Sequence, residues 1–91
     1  MPSYLVETYL SNGKVGERAT RERRARLAAE ELAREQTRIQ FERSIHIPQD
    51  ETCFFVFSAD SGADVARVAQ RAQLEPIRVV EVAPTEKGEE K

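Results

Sequence analysis

Apolar positions change their spacing repeatedly along the chain, and each change marks a new element. Ser3 to Leu10 is rich in Tyr, Leu, Val and Thr and predicts a strand. Ser11 to Gly16 follows as a loop whose two glycines are free to adopt positive φ. From Glu17 to about Gln36, β-branched residues almost vanish and Ala, Leu, Glu and Arg take over, which predicts a helix. Ala25, Ala28, Ala29, Leu32 and Ala33 recur at spacings of three and four, giving one stripe of small side chains suited to close approach. The helix also carries opposite charges at i,i+4, from Glu17–Arg21 and Arg18–Glu22 to Glu30–Arg34, each pair worth only ~0.2–0.5 kcal/mol.

The period then drops to two. Ile39, Phe41, Arg43, Ile45 and Ile47 alternate with Gln40, Glu42, Ser44 and His46, which predicts a strand with two unlike faces. Pro48 to Glu51 is a turn, and Thr52 to Ser58 is a second strand, apolar on both faces, so the pair forms a β-hairpin. Asp60 or Ser61 can cap a second helix from about Gly62 to Ala72, with Val65, Val68, Ala69 and Ala72 on one stripe. Beyond Pro76, Ile77 to Ala83 is a last strand.

This order makes two β-α-β halves, and right-handed crossovers close them into a four-stranded antiparallel sheet with both helices on one face. The expected fold is α+β, a ferredoxin-like β-α-β-β-α-β sandwich over residues 1–83. Residues 84–91 have nothing to bury and are expected to be a disordered acidic tail.

Composition narrows the function classes. Ninety-one residues hold one core, with 40% hydrophobic and 33% charged positions, as in a folded domain. A net charge of −2 argues against a surface built throughout for nucleic acid. No apolar run approaches the ~20 residues needed to cross a membrane. The start Met1-Pro2-Ser3-Tyr4 lacks the basic and apolar segments of a secretion signal, which points to the cytoplasm. Cys53 is the single cysteine, so an internal disulfide and a thiolate-rich zinc site are both excluded.

With a turn at Pro48–Glu51, His46 is expected opposite Cys53, Ser44 opposite Phe55 and Glu42 opposite Phe57. The aliphatic face of Ile39, Phe41, Ile45, Ile47, Phe54 and Val56 is the expected partner of the alanine-lined helix. That leaves Glu42, Ser44, His46, Cys53, Phe55 and Phe57 on the helix-free face, too apolar to stand in water. The expectation is a homodimer packed sheet against sheet, with Glu7, Glu42, Ser44, Phe55, Phe57 and Glu81 lining a ligand pocket between the sheets. His46 and Cys53 as cross-strand neighbours are candidate ligands for a soft or borderline cation.

Arg18, Arg21, Arg23, Arg24 and Arg26 cluster near the start of the first helix, where positive charge opposes the helix dipole, so they are candidates for binding an anion. Phe55 and Phe57 invite comparison with RNA-binding sheets of the same strand order, but the RNA-binding consensus is absent. A cysteine nucleophile would need an orienting group and an oxyanion loop that the sequence does not display.

"MPSYLVET" at the start, Ser44, Cys53 in an aromatic strand, and "LEPIRVVEV" from Leu74 to Val82 resemble a family of small bacterial domains of unknown function that includes a nickel-binding protein. The resemblance covers most of Ser3 to Ala83. It implies a ferredoxin-like fold, dimerisation through the sheets, and a metal on or near that face, with Glu7, Ser44, Cys53 and Glu81 in family positions. Phe41 stands where members often carry Trp, and Ile45 where they often carry Tyr. Two positions associated with histidine in the family are Val68 and Arg43 here.

Together these point to a non-enzymatic, cytoplasmic, homodimeric domain that binds a small molecule or a divalent metal such as nickel. The alternatives are a dimeric α/β-barrel enzyme, similar to small monooxygenases, and an interaction module using Arg18 to Arg26.

Overall fold

In the computed structural model, residues 1–83 are described, so the expected tail at 84–91 lies outside the described residues. The chain runs β1 (Ser3–Tyr9), α1 (Glu17–Arg34), β2 (Ile39–Ile47), β3 (Thr52–Ala59), α2 (Gly62–Arg71) and β4 (Arg78–Val82). Short 3-10 turns lie at Asn12–Lys14 and Pro48–Asp50. The sheet order is β2-β3-β1-β4 with every neighbouring pair antiparallel, the ferredoxin-like arrangement. Among the described residues, no helix is long and apolar enough to cross a membrane.

The helices form where the stripes predict. Ala25, Ala28, Ala29 and Leu32 of α1 are buried, whereas Ala33 is exposed. Val65, Val68 and Ala69 of α2 are buried, as is Ala72 just beyond it. Ser61 caps α2, its hydroxyl accepting the Asp64 amide.

The expected freedom of the first loop's glycines is not used: Gly16 has φ −65°, and no described glycine has positive φ. The left-handed positions belong to Gln36, Glu51, Gln73 and Glu75. Gln36 (φ 75°) ends α1 and lets the Thr37 amide donate to the Leu32 carbonyl at 2.9 Å. Gln73 does the same for α2, with the Leu74 amide on the Ala69 carbonyl at 3.0 Å. An L-residue is strained there, so Gln36→Gly is expected to stabilise the fold by about 0.5–1 kcal/mol. A urea midpoint that failed to rise would contradict it.

The hairpin register is partly as expected. His46 lies opposite Cys53 and Ser44 opposite Phe55. Phe57, however, pairs with Phe41 rather than Glu42, because a bulge between Phe41 and Arg43 leaves Glu42 without a partner. That extra residue switches the alternation within β2. Ile39 and Phe41 point toward the helices, but beyond the bulge Ser44 and His46 do so, and Ile45 and Ile47 point away.

The face assignment from sequence is therefore corrected. Cys53, Phe55 and Phe57 of β3 are fully buried on the helix-covered face, while Phe54 and Val56 lie on the open one. The physical reason is volume. Small alanines on the helix are matched by large aromatics on the sheet: Ala25, Ala28 and Ala29 share one buried cluster with Phe41, Phe55 and Phe57. Phe41 packs on Phe57 at 5.3 Å and on Phe55 at 6.4 Å between ring centroids. The Arg26 guanidinium covers the Phe41 ring at 5.1 Å.

Candidate functional site

The open face of the sheet is mapped by the strand registers. Ile47, Thr52 and Tyr9 form one row across it; Ile45, Phe54, Glu7 and Arg78 form the next. Arg43, Val56, Leu5 and Val80 follow, and Gln40, Ser58, Ser3 and Val82 close it. Bulged Glu42 joins the last corner, accepting a hydrogen bond from the Ser58 hydroxyl. Apolar side chains thus run diagonally from Ile47 on β2 to Val82 on β4. Ile45, Ile47 and Val82 are 37%, 36% and 38% exposed, Leu5, Phe54 and Val80 are half-buried, and Val56 is buried among its neighbours. Two charged corners flank the stripe: Glu7 with Arg78, paired at 2.6 Å, and Glu42 with Arg43.

Sequence reasoning missed this set. The signal was Arg43, a charge on what strict alternation made the aliphatic side, next to another charge at Glu42. Two adjacent charges that share a face mark a bulge.

The expected pocket does not assemble. Glu7 and Glu42 lie on the open face, whereas Ser44, Phe55, Phe57 and Glu81 lie on the helix side, Glu81 exposed on edge strand β4 opposite Tyr4. Ser44 is buried and tied to α1: Arg18 donates Nε to its hydroxyl oxygen at 2.9 Å and Nη2 to its carbonyl at 3.2 Å. The Ser44 hydroxyl donates to Glu22. These bonds explain how a polar residue sits under a helix.

His46 and Cys53 are cross-strand neighbours beneath α1, and His46 Nε2 is buried without a hydrogen-bond partner. Burial pushes the Cys53 thiol above its ordinary pKa, while Arg18 and Arg21 pull it down. Two donors do not make a metal centre. Among the described residues, no group of three or more His, Cys, Asp or Glu side chains could share an ion, so the residues present do not fit the nickel site that the resemblance implies. Nickel, zinc or copper is accordingly expected to leave the melting temperature unchanged in wild type and His46→Ala alike. A rise present in wild type and lost in the variant would overturn that.

Four of the five clustered arginines hold the fold together. Arg18 binds Ser44, and Arg26 covers Phe41. Arg21 donates to the Tyr9 carbonyl at 2.9 Å and to Glu17 at 3.1 Å. Arg24 reaches the end of α2, donating Nε to the Ala72 carbonyl at 2.7 Å and Nη2 to the Gln73 carbonyl at 3.1 Å. Arg23 is exposed. The sequence shows a charge excess; the structure shows a set of ties from α1 to β1, β2 and α2.

Two clefts flank the segment from Gln73 to Glu75. One, of about 540 Å³, lies between Arg24, Gln70, Gln73 and Pro76. The other, of about 490 Å³, opens beside Tyr9 at the edge of the sheet face and is lined also by Lys14, Glu17, Arg21 and Leu74.

No protein-family model matches the chain, and no curated protein matches it. Among solved structures, the crystal structure of SCO4226 from Streptomyces coelicolor A3(2) superposes with a TM-score of 0.68, covering 91% of this chain and 98% of that one at 20% identity. At that identity the likeness carries the fold: both chains are small β-α-β-β-α-β domains.

Proposed function

We propose that this domain is a non-enzymatic homodimeric binding module of the cytoplasm, its open sheet face forming the dimer interface and a small molecule its ligand. The observation that supports it is the continuous band of seven apolar residues, Leu5, Ile45, Ile47, Phe54, Val56, Val80 and Val82, on the face that the helices leave uncovered. A contiguous patch of this kind on a small domain marks an interaction surface. Burying it against a second copy also helps a chain whose size leaves a lone monomer with a marginal core. The cleft beside Tyr9 adjoins this face and offers a small molecule both charge signs, being lined by Lys14 and Arg21 and by Glu17 and Glu75.

Analytical ultracentrifugation tests the reading. Wild type is expected to sediment as a dimer at tens of micromolar. Phe54→Asp, which places a charge in the middle of the band, is expected to give a folded monomer. A wild-type monomer, or a dimer indifferent to Phe54→Asp, would remove the proposal. Native mass spectrometry of purified protein then tests the ligand: a bound species of a few hundred daltons is expected, and its loss in Lys14→Ala would place it in the cleft.

A further inference from the structure

Deepening the dimer proposed above, and resting on it, we infer one orientation for that dimer: the two apolar stripes lie along each other, so that Arg78 of each protomer meets the partner's Glu42, and Glu7 meets the partner's Arg43.

Area and charge together carry the argument. Four strands about 4.8 Å apart and seven residues long present roughly 450 Å² of flat face. That is below the ~800 Å² each partner buries in a standard interface, so the dimer has to use the whole face rather than a corner of it. A two-fold axis in the plane of the interface is then free only to rotate, and each choice of its direction sets different residues opposite one another.

With the axis along the strands, β2 lies over β4. Arg78 then faces Ile45, Glu7 faces Phe54 and Arg43 faces Val80. With the axis across the strands, Arg78 faces Val80 and Arg43 faces Ile45. Both arrangements bury Arg43 and the Glu7–Arg78 ion pair against apolar side chains, which is costly. With the axis across the stripe, the Glu7–Arg78 corner folds back toward its own copy and brings the Arg78 guanidinium groups together.

Only an axis along the stripe sets apolar residues on apolar residues and the two charged corners on each other. The corners then match in sign, because Arg78 is mostly exposed beyond its bond to Glu7, and Glu42 and Arg43 are exposed on edge strand β2. The stripe leans about 35° from the strand direction, given strand and residue spacings. The two-fold doubles this, so the sheets cross at about 70°, close to the orthogonal class of sheet packing.

Cysteine pairing between singly substituted chains tests the orientation. Glu42→Cys and Arg78→Cys protein, both sites being exposed, are mixed and mildly oxidised, and circular dichroism verifies that each is folded. A disulfide-linked dimer formed by that mixture is the expected result. Cross-linking of Arg78→Cys with Ile45→Cys protein instead would show strand-aligned packing and overturn the inference while leaving the dimer intact. A wild-type dimer whose Glu42→Cys and Arg78→Cys chains fail to cross-link would overturn it as well. A wild-type monomer by sedimentation would remove the dimer reading and this orientation together.

Discussion

Phe57→Ala is expected to cost about 3–5 kcal/mol, enough to leave much of the protein unfolded at room temperature. Phe57 is fully buried, its ring against Phe41 and beneath the alanine stripe of α1. Truncation removes the contacts that fill the space those alanines leave, and a sheet clamped to α1 by Arg18 and Ser44 cannot collapse into the gap. Phe54→Ala, three positions away on the same strand but on the open face, is expected to cost less than half as much when measured on dilute protein. Urea unfolding followed by circular dichroism separates the two. A larger cost for Phe54→Ala than for Phe57→Ala would mean that the faces are exchanged, as alternation along β2 alone would have it.

Cys53 is expected to react with a disulfide reagent on the order of 10³-fold more slowly in the native protein than in urea. The thiol is fully buried beneath α1, and its carbonyl accepts the Thr8 hydroxyl at 2.7 Å, so a reagent has to wait for an opening of the domain. An immediate burst of reaction would show α1 to be loosely held. The same burial predicts a pH dependence. The folded pKa is raised, so the stabilising contribution is fully present below the unfolded thiol's value of about 8.5 and is lost as pH rises from there through the folded value. Stability should fall through that alkaline window, and Cys53→Ala should remove the part of the slope that begins near 8.5.

Much of the fold was legible because it rests on local periodicity. The stripes of α1 and α2, a cap at Asp60 or Ser61 and the bounds of β2 each follow from short-range spacing, and the strand order follows from connection rules. The His46–Cys53 pairing was legible too, since a turn at Pro48–Glu51 sets the register at that end of the hairpin. What could not be read was which way each strand faces. A face depends on volumes brought together from distant segments, here Ala25, Ala28 and Ala29 against Phe41, Phe55 and Phe57. It also depends on one inserted residue. The candidate site suffered most, because its residues were chosen by face: Ser44, Phe55 and Phe57 became core, and Leu5, Ile45, Phe54 and Val80 emerged in their place. The arginines misled for a related reason. Their count is visible in the sequence, but the carbonyls of Tyr9, Ala72 and Gln73 that engage them are supplied by the fold.

The bulge at Glu42 has a consequence for how copies of this chain can add together. β2 is an outer strand of the sheet, and a long regular outer strand is a template on which further chains stack without limit, the route to fibrils. A residue left out of the ladder kinks that border and crowds two charges onto it, so extension strand by strand is blocked. The same insertion turns Ile45 and Ile47 onto the flat of the sheet, where contact between two copies is self-limiting. In the proposed dimer, one extra residue thus trades endless growth at the border for a closed pair.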